Sequence, residues 1–326
     1  MSKSASLATT IDEVLDRTVA PGYSRIGHAV RRRSRTWPAD PAHGALEGKD
    51  VLVTGASSGL GTAAAKGVLD LGGHVHAIVR DAAKMAKVVD EWAEEDPAVR
   101  ERVHVWTCDL ADLDSVNRCA GELFAALPAV HGIIHNAGAL PAERVETAQG
   151  VELTMGLHVI SPIVLTEALV PLLAPGSQVV FVTSGGMYAQ GLPADDPNYL
   201  RGTYSGVTAY ARSKRAQVEL LPILQQRWTA FSGAQVQAMH PGWARSPGLD
   251  TSLPTFARLT RPLLRTPESG ADTAVWLVAQ TGLGGGRLWH DRRPRRTHLA
   301  SGTVTSVPDL EKFWAWVREQ AGLADR

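Results

Sequence analysis

The chain has 326 residues, 44% of them hydrophobic, enough to build one large α/β domain or two small ones. Thirty-three basic residues balance thirty-three acidic ones, which excludes a global field for nucleic acid or an anionic membrane. Two cysteines without metal-type spacing, Cys108 and Cys119, read as buried thiols in a reducing compartment and imply no metal site.

Residues 1 to 48 read as an appended arm. Prolines stand at 21, 38 and 41, and a basic cluster of Arg31, Arg32, Arg33 and Arg35 precedes Trp37. Ile11, Val14 and Leu15 have the spacing of a short amphipathic helix that packs on the body. The arginine run reads as a solvated face, with a membrane surface or nucleic acid as the alternative. Met1-Ser2-Lys3-Ser4 lacks an apolar signal core, and apolar stretches break well short of ~20 residues. A soluble cytoplasmic protein without stable membrane insertion is expected.

From Lys49 strand-like and helix-like segments alternate. Val51-Leu52-Val53 opens the pattern, a helix over Thr62 to Leu71 follows, and further strands are expected at His74 to Val79 and Val103 to Thr107. Gly132 to His135, Val179 to Val182 and Val236 to Met239 continue the series. Short continuous apolar strands with crossover helices predict a three-layer, doubly wound parallel sheet, a Rossmann-type α/β fold, in one domain over residues 49 to 290. In the tail from 291 to 326, Leu310, Phe313, Trp314 and Val317 predict a docked helix.

Two local patterns carry chemistry. Thr54-Gly55-Ala56-Ser57-Ser58-Gly59-Leu60-Gly61 links the first strand to the first helix. Gly55 suits a tight turn, Gly59 a close approach of backbone to phosphate, and Gly61 close helix-to-strand packing, with the anion at the helix N-terminus. The second pattern is Tyr210 and Lys214, whose four-residue spacing puts both side chains on one helix face. There an ammonium favours the phenolate of a tyrosine that normally titrates near ~10. None of Tyr23, Tyr188, Tyr199 and Tyr204 has a lysine four residues on.

Together, the Gly-x-x-x-Gly-x-Gly loop and Tyr210-x-x-x-Lys214 resemble the short-chain dehydrogenase/reductase family. Asn136-Ala137-Gly138 after the fourth strand, Asp109-Leu110 after the third, Thr183-Ser184-Gly185 after the fifth and Pro241-Gly242 after the sixth match its motifs. Within it, Ser184 to Tyr188, His240 to Trp243 and Leu288 to Pro294 are similar to the branch called dehydrogenase/reductase member twelve.

The resemblance implies a dinucleotide on Gly55, Ser57, Ser58, Gly59, Leu60 and Gly61, with Asp109 and Leu110 at the adenine. It places Asn136, Ala137, Gly138, Pro241, Gly242, Tyr210 and Lys214 along the rest of the cofactor. Val79 stands where an NAD-selecting carboxylate would be, and Arg80 follows it, which points to NADPH; the competing reading gives Asp81 that carboxylate role and implies NAD. Hydride transfer would then interconvert a carbonyl and an alcohol, with Tyr210 as general acid/base, Ser184 on the same oxygen and Lys214 on the ribose. The family's fourth catalytic position, an asparagine, aligns with His158. Two readings stand: His158 relays protons, or it is a helix histidine satisfied by a backbone carbonyl.

Trp243 to Arg265 resembles the family's variable substrate lid, ahead of a helix capped by Thr266 with Pro267 in its first turn. Leu249, Leu253, Phe256, Leu259, Leu263 and Leu264 suggest an apolar carbonyl compound, or else the packing of a short helix pair. Arg245, Arg258, Arg261 and Arg265 leave room for an anionic substituent, and the loop from Met187 to Tyr204, with Asp195 and Asp196, would form the opposite wall. The alternative function is a non-catalytic NADP(H)-binding sensor or scaffold. An epimerase is disfavoured by the glycine spacing. The resemblance also implies a homo-oligomer.

Overall fold

The computed structural model describes residues 10, 12–16, 18–245 and 254–324. Its sheet has eight strands: β1 (Asp50–Thr54), β2 (His74–Val79), β3 (Val103–Thr107), β4 (Val130–His135), β5 (Leu173–Val182), β6 (Gln235–Met239), β7 (Arg287–His290) and β8 (Arg293–Arg295). They lie in the order β3-β2-β1-β4-β5-β6-β7-β8, and every neighbouring pair is parallel except β7 with β8. The order reverses between β1 and β4. In open sheets of this kind, ligands bind beyond the carboxyl ends of the strands at that switch point.

The strand sequences sort themselves between two cores. Leu52, Ile133, Val179 and Phe181 join one hydrophobic cluster, whereas their neighbours Val51, Val53, Ile134, Val180 and Val182 join the other. Both faces are therefore buried, which is why these strands read as continuous apolar runs.

The helices used below are α1 (Val19–Tyr23), α2 (Arg25–Arg32), α3 (Gly59–Asp70), α4 (Ala82–Glu95), α5 (Leu113–Ala126), α6 (Ser161–Leu169), α7 (Gly206–Glu219), α8 (Leu221–Ser232), α9 (Pro267–Val278) and α10 (Val307–Ala321). On one face Ala64, Ala65 and Val68 of α3 join Ala271, Ala274 and Leu277 of α9. A Cβ on Gly67 would lie 2.8 Å from Val275, so α3 and α9 pack at glycine distance. The other face is covered by α5 to α8 and by α10, whose Phe313 and Val317 are fully buried as its spacing predicted. Thr266 caps α9 by accepting the Ser269 N–H, with Pro267 in the first turn.

Three features differ from expectation. Leu153–Leu172 forms one helical stretch long and apolar enough to span a membrane, against the reading that no such stretch exists; most of it is buried, so it serves as core. The sheet also runs past residue 290, because Asp291 (φ +53) and Arg292 (φ +57) make a two-residue turn that returns the chain as β8. Finally, Ile11 lies outside the described residues, and in the helical stretch 12–16 Val14 is 55% exposed while Asp12 is the buried residue.

Candidate active site

Thr54 ends β1 at the switch point, and its hydroxyl accepts the N–H groups of Asn136 and Ala137, both at 3.0 Å. Asn136 Nδ2 donates to Thr54 O at 3.1 Å. The Asn136-Ala137-Gly138 segment is thereby fastened to the start of the glycine loop. Gly55 (φ +68) and Gly59 (φ +57) both occupy the left-handed region, which the turn requires. A Cβ on Gly61 would come within 2.2 Å of Gly55 O and 2.5 Å of Asn136 Nδ2. Ser58 makes no side-chain cap to α3, leaving first-turn N–H groups facing the switch point. Uncapped amides, a helix dipole and a loop in which Gly55, Gly59 and Gly61 carry no Cβ fit a pyrophosphate.

At the second strand end, Arg80 is exposed. Asp81 is committed otherwise: its carboxylate caps α4 by accepting the Lys84 N–H at 2.9 Å. Leu110 is buried, and its carbonyl accepts the Ser161 hydroxyl at 2.6 Å, while Asp109 Oδ1 accepts the Ala111 N–H. Both stand beside the crevice at the end of β3.

Tyr210 and Lys214 lie one turn apart on α7, which begins after the Ser205 cap. Thr183 at the end of β5 donates its hydroxyl to Lys214 O, and Lys214 Nζ donates to Val182 O, both at 2.8 Å. These two bonds clamp α7 to β5 and bring Ser184 towards Tyr210. Burial raises the Tyr210 phenol above its ordinary value, and the Ser184 hydroxyl acts in the opposite direction. Burial also pulls Lys214 down to about 7. The ammonium lies 5.6 Å from the Tyr210 ring centroid. For the Tyr210 phenol, burial outweighs the opposing contribution.

Lys214 gives a pH-dependent prediction. Its folded pKa lies below the unfolded value near ~10.4, so the unfolded chain binds the extra proton between these limits, and this group's burial penalty fades as pH rises from 7 towards 10. Lys214→Met is expected to be stabilised relative to wild type at pH 6, with the difference shrinking by pH 10, read by urea denaturation of both proteins at each pH.

His158 is fully buried within a π-helical turn, Gly156–Ile160. Nε2 accepts the Ala139 N–H at 3.2 Å, so the ring proton is assigned to Nδ1, which donates to Ser213 Oγ at 2.7 Å. Ser213 in turn donates to Tyr210 O at 2.8 Å. Burial, with the charge of Lys214, holds the imidazole well below its ordinary pKa, so it stays neutral. The His158 carbonyl takes the Gln217 amide at 2.8 Å. That carbonyl is free of an α-helical partner because residue 162, four positions on, is proline and has no N–H.

Gly138 exists for this ring. A Cβ there would lie 2.6 Å from His158 Nε2. Gly138→Ala is expected to cost on the order of 1–3 kcal/mol by overpacking, and less when His158 is already asparagine. Chemical denaturation of the two single variants and the double variant measures the coupling.

A family model described as "short chain dehydrogenase" matches residues 49–254. The chain belongs to the short-chain dehydrogenase family. It is 32% identical over 296 residues to Dehydrogenase/reductase SDR family member 12 of Bos taurus, covering 89% of this chain and 90% of the relative. It is 29% identical over 328 residues to the polyprenol dehydrogenase of Homo sapiens, covering 95% and 96%. Among solved structures, the Pseudomonas aeruginosa RhlG/NADP active-site complex matches with a TM-score of 0.61 and 22% identity, covering 77% of this chain and 96% of that one, a likeness of fold.

The family motifs and the serine follow the carboxyl ends of the strands, where the tyrosine–lysine helix is clamped to β5. The lid arginines do not act together. Arg265 is only 1% exposed: Nη1 and Nη2 bond Asp291 at 2.5 and 3.0 Å, so it is not free for a substrate anion. Arg245, Arg258 and Arg261 remain exposed, whereas Pro247, Leu249 and Leu253 and the side chains of Pro254 and Phe256 lie outside the described residues. The lid's neck is clipped by backbone pairing: Arg265 N–H donates to Trp243 O, and Arg245 N–H to Arg265 O. On the opposite wall Asp195 pairs with Lys312 on α10, and Asp196 accepts the N–H groups of Leu200 and Arg201.

The reading of the arginine run as a solvated face fails for Arg31. It is 4% exposed, with Nε 2.7 Å from Asp12 and Nη1 2.8 Å from Asp291. The other three arginines of the run are exposed. A buried charge cluster of Asp12, Arg31, Asp291, Arg265 and Arg295 thus ties the arm to the β7–β8 turn and the lid's neck. Although burial raises it, the guanidinia of Arg265 and Arg31 hold the Asp291 carboxyl well below the usual range. The signal in the sequence was an apolar strand running into Asp291-Arg292-Arg293, but its partners lie far off along the chain.

Proposed function

We propose that this chain is an NADP(H)-dependent oxidoreductase that interconverts an apolar carbonyl compound and its alcohol. The observation that carries this reading is the approach of Ser184 to Tyr210 where α7 is clamped to the end of β5, one helical turn from buried Lys214. NADPH, when bound, supplies the hydride. Tyr210 donates the proton that the carbonyl oxygen takes up, and the Ser184 hydroxyl hydrogen-bonds the same oxygen as charge builds on it. Lys214 spends one N–H on Val182 O and has others for ribose hydroxyls.

Arg80 supports NADP over NAD. It is a free guanidinium at the end of β2, beside an Asp81 whose carboxylate is engaged in capping α4. The apolar substrate class rests on exposed Leu259 and partly buried Leu263 around the lid and on the named activity of the polyprenol relative. His158 is proposed as a bracket that spaces the Tyr210 turn from Ala139: among the described residues its ring bonds the Ala139 N–H and Ser213 Oγ, not Lys214 or the Tyr210 hydroxyl.

The test is NADPH oxidation across a panel of long-chain aliphatic and aromatic aldehydes and ketones, with NADH in parallel. Turnover with NADPH preferred is expected. Tight NADPH binding with no turnover of any member would favour the sensor or scaffold reading instead.

A further inference from the structure

We propose that the N-terminal arm is part of the catalytic apparatus, with Tyr23 as the positioning residue through which it acts. This rests on the oxidoreductase reading above. Tyr23, at the end of α1, is 1% exposed and lies against three segments of the site at once. Its ring edge covers Gly185, the residue after Ser184: a Cβ on Gly185 would sit 2.6 Å from Tyr23 Cε2. Its carbonyl accepts the Trp243 N–H and Arg265 Nε–H, both at 2.8 Å, at the point where the Pro241-Gly242 loop enters the lid. Gly242 (φ +70) has no room for a side chain, since a Cβ would lie 2.6 Å from that carbonyl.

The ring also meets the His240 ring edge-on, with centroids 4.6 Å apart, and His240 stacks on His290 at 3.9 Å. Tyr188, at the far end of the serine loop, meets the same His240 ring edge-on with centroids 6.2 Å apart. Gly185, His240, Gly242, Trp243 and Arg265 thus converge on one residue supplied from outside the sheet. Arg31 locks the arm in place by donating to Gly22 O at 2.7 Å, next to Tyr23. The serine loop and the Pro241-Gly242 loop share no strand pairing beyond Val182↔Met239, where β5 and β6 end. Tyr23 spans the gap between them and sets their spacing.

The test compares wild type, Tyr23→Phe, Tyr23→Ala and, as a control on the exposed face of the arm, Ile26→Ala. Four quantities are measured: kcat and KM for a responsive carbonyl, NADPH affinity from its fluorescence, and Tm. Tyr23→Ala is expected to lower kcat by about tenfold or more, because small misplacements of reacting groups are costly. NADPH should bind several-fold more weakly, Tyr23→Phe should retain most of the rate because the ring remains, and Ile26→Ala should match wild type. If Tyr23→Ala does not fold, Tyr23→Leu, which fills the volume without the ring edge, takes its place.

A lowered Tm with unchanged kcat and unchanged NADPH affinity would overturn the proposal, leaving the arm as scaffold alone. If wild type binds NADPH but reduces no carbonyl, the oxidoreductase reading fails. NADPH affinity then decides the arm's role by itself, and equal affinity in wild type and Tyr23→Ala sinks it.

Discussion

Tyr210→Phe is expected to lower kcat by about 10²–10⁴-fold, the usual contribution of a positioned general acid, while leaving NADPH affinity and Tm close to wild type. The change removes one hydroxyl oxygen and leaves the ring against His158 at 5.3 Å. The Val182 and Thr183 bonds that clamp α7 to β5 involve Lys214 and survive the substitution. Steady-state NADPH oxidation, NADPH fluorescence and a thermal melt on the same preparation check the three quantities. A variant within threefold of wild type would assign the proton to another group and remove Tyr210 from the chemistry.

Asp291→Asn is expected to cost about 3–5 kcal/mol of stability, the range found when one partner of a buried ion pair is removed and the other charge stays buried. Asparagine is chosen because it tolerates the positive φ of this turn, so the loss reports charge rather than backbone. Arg31 and Arg265, 4% and 1% exposed, would each lose a counterion. Urea denaturation with far-ultraviolet circular dichroism reads the difference.

The pH sign follows from the depressed carboxyl. A group whose folded pKa is lowered contributes stability above its unfolded pKa, near ~3.9, and loses it as pH falls towards the folded value. The gap between wild type and Asp291→Asn should therefore be flat from pH 8 to 5 and narrow below about 4. A gap below 1 kcal/mol at pH 7 would show that the cluster is solvated in solution.

The two predictions fall on opposite sides of what a sequence conveys. Tyr210 was visible because its partner lies four residues away, and helical periodicity converts that spacing into proximity. The glycine loop was visible for a similar reason: Gly55, Gly59 and Gly61 follow an apolar strand and open a helix. The cap at Thr266 and the face of α10 defined by Phe313 and Val317 were legible from short-range spacing too.

His158 was legible as an anomaly but not as a geometry. Its contacts come from Ala139 and Ser213, 19 and 55 residues away, and the room it occupies is the missing side chain of Gly138. Pro162 was the local clue, since it strips the His158 carbonyl of its helical donor, but the Gln217 amide that takes that carbonyl is 59 residues on.

The alternation of strands and helices, the phosphate-type loop and the candidates Ser184, Tyr210 and Lys214 are readable in the chain, because each is written in periodicity or in spacing of a few residues. The protonation tendencies of Tyr210 and Lys214 come from folding, which sets how deeply the packed chain buries them. Folding alone also turned Arg31 from a residue in an apparently solvated run into a buried ion with Asp291, 260 residues away, and laid Tyr23 against Gly185. Coulomb and desolvation energies depend on distance and burial in space, and a charge run carries neither until the chain has folded.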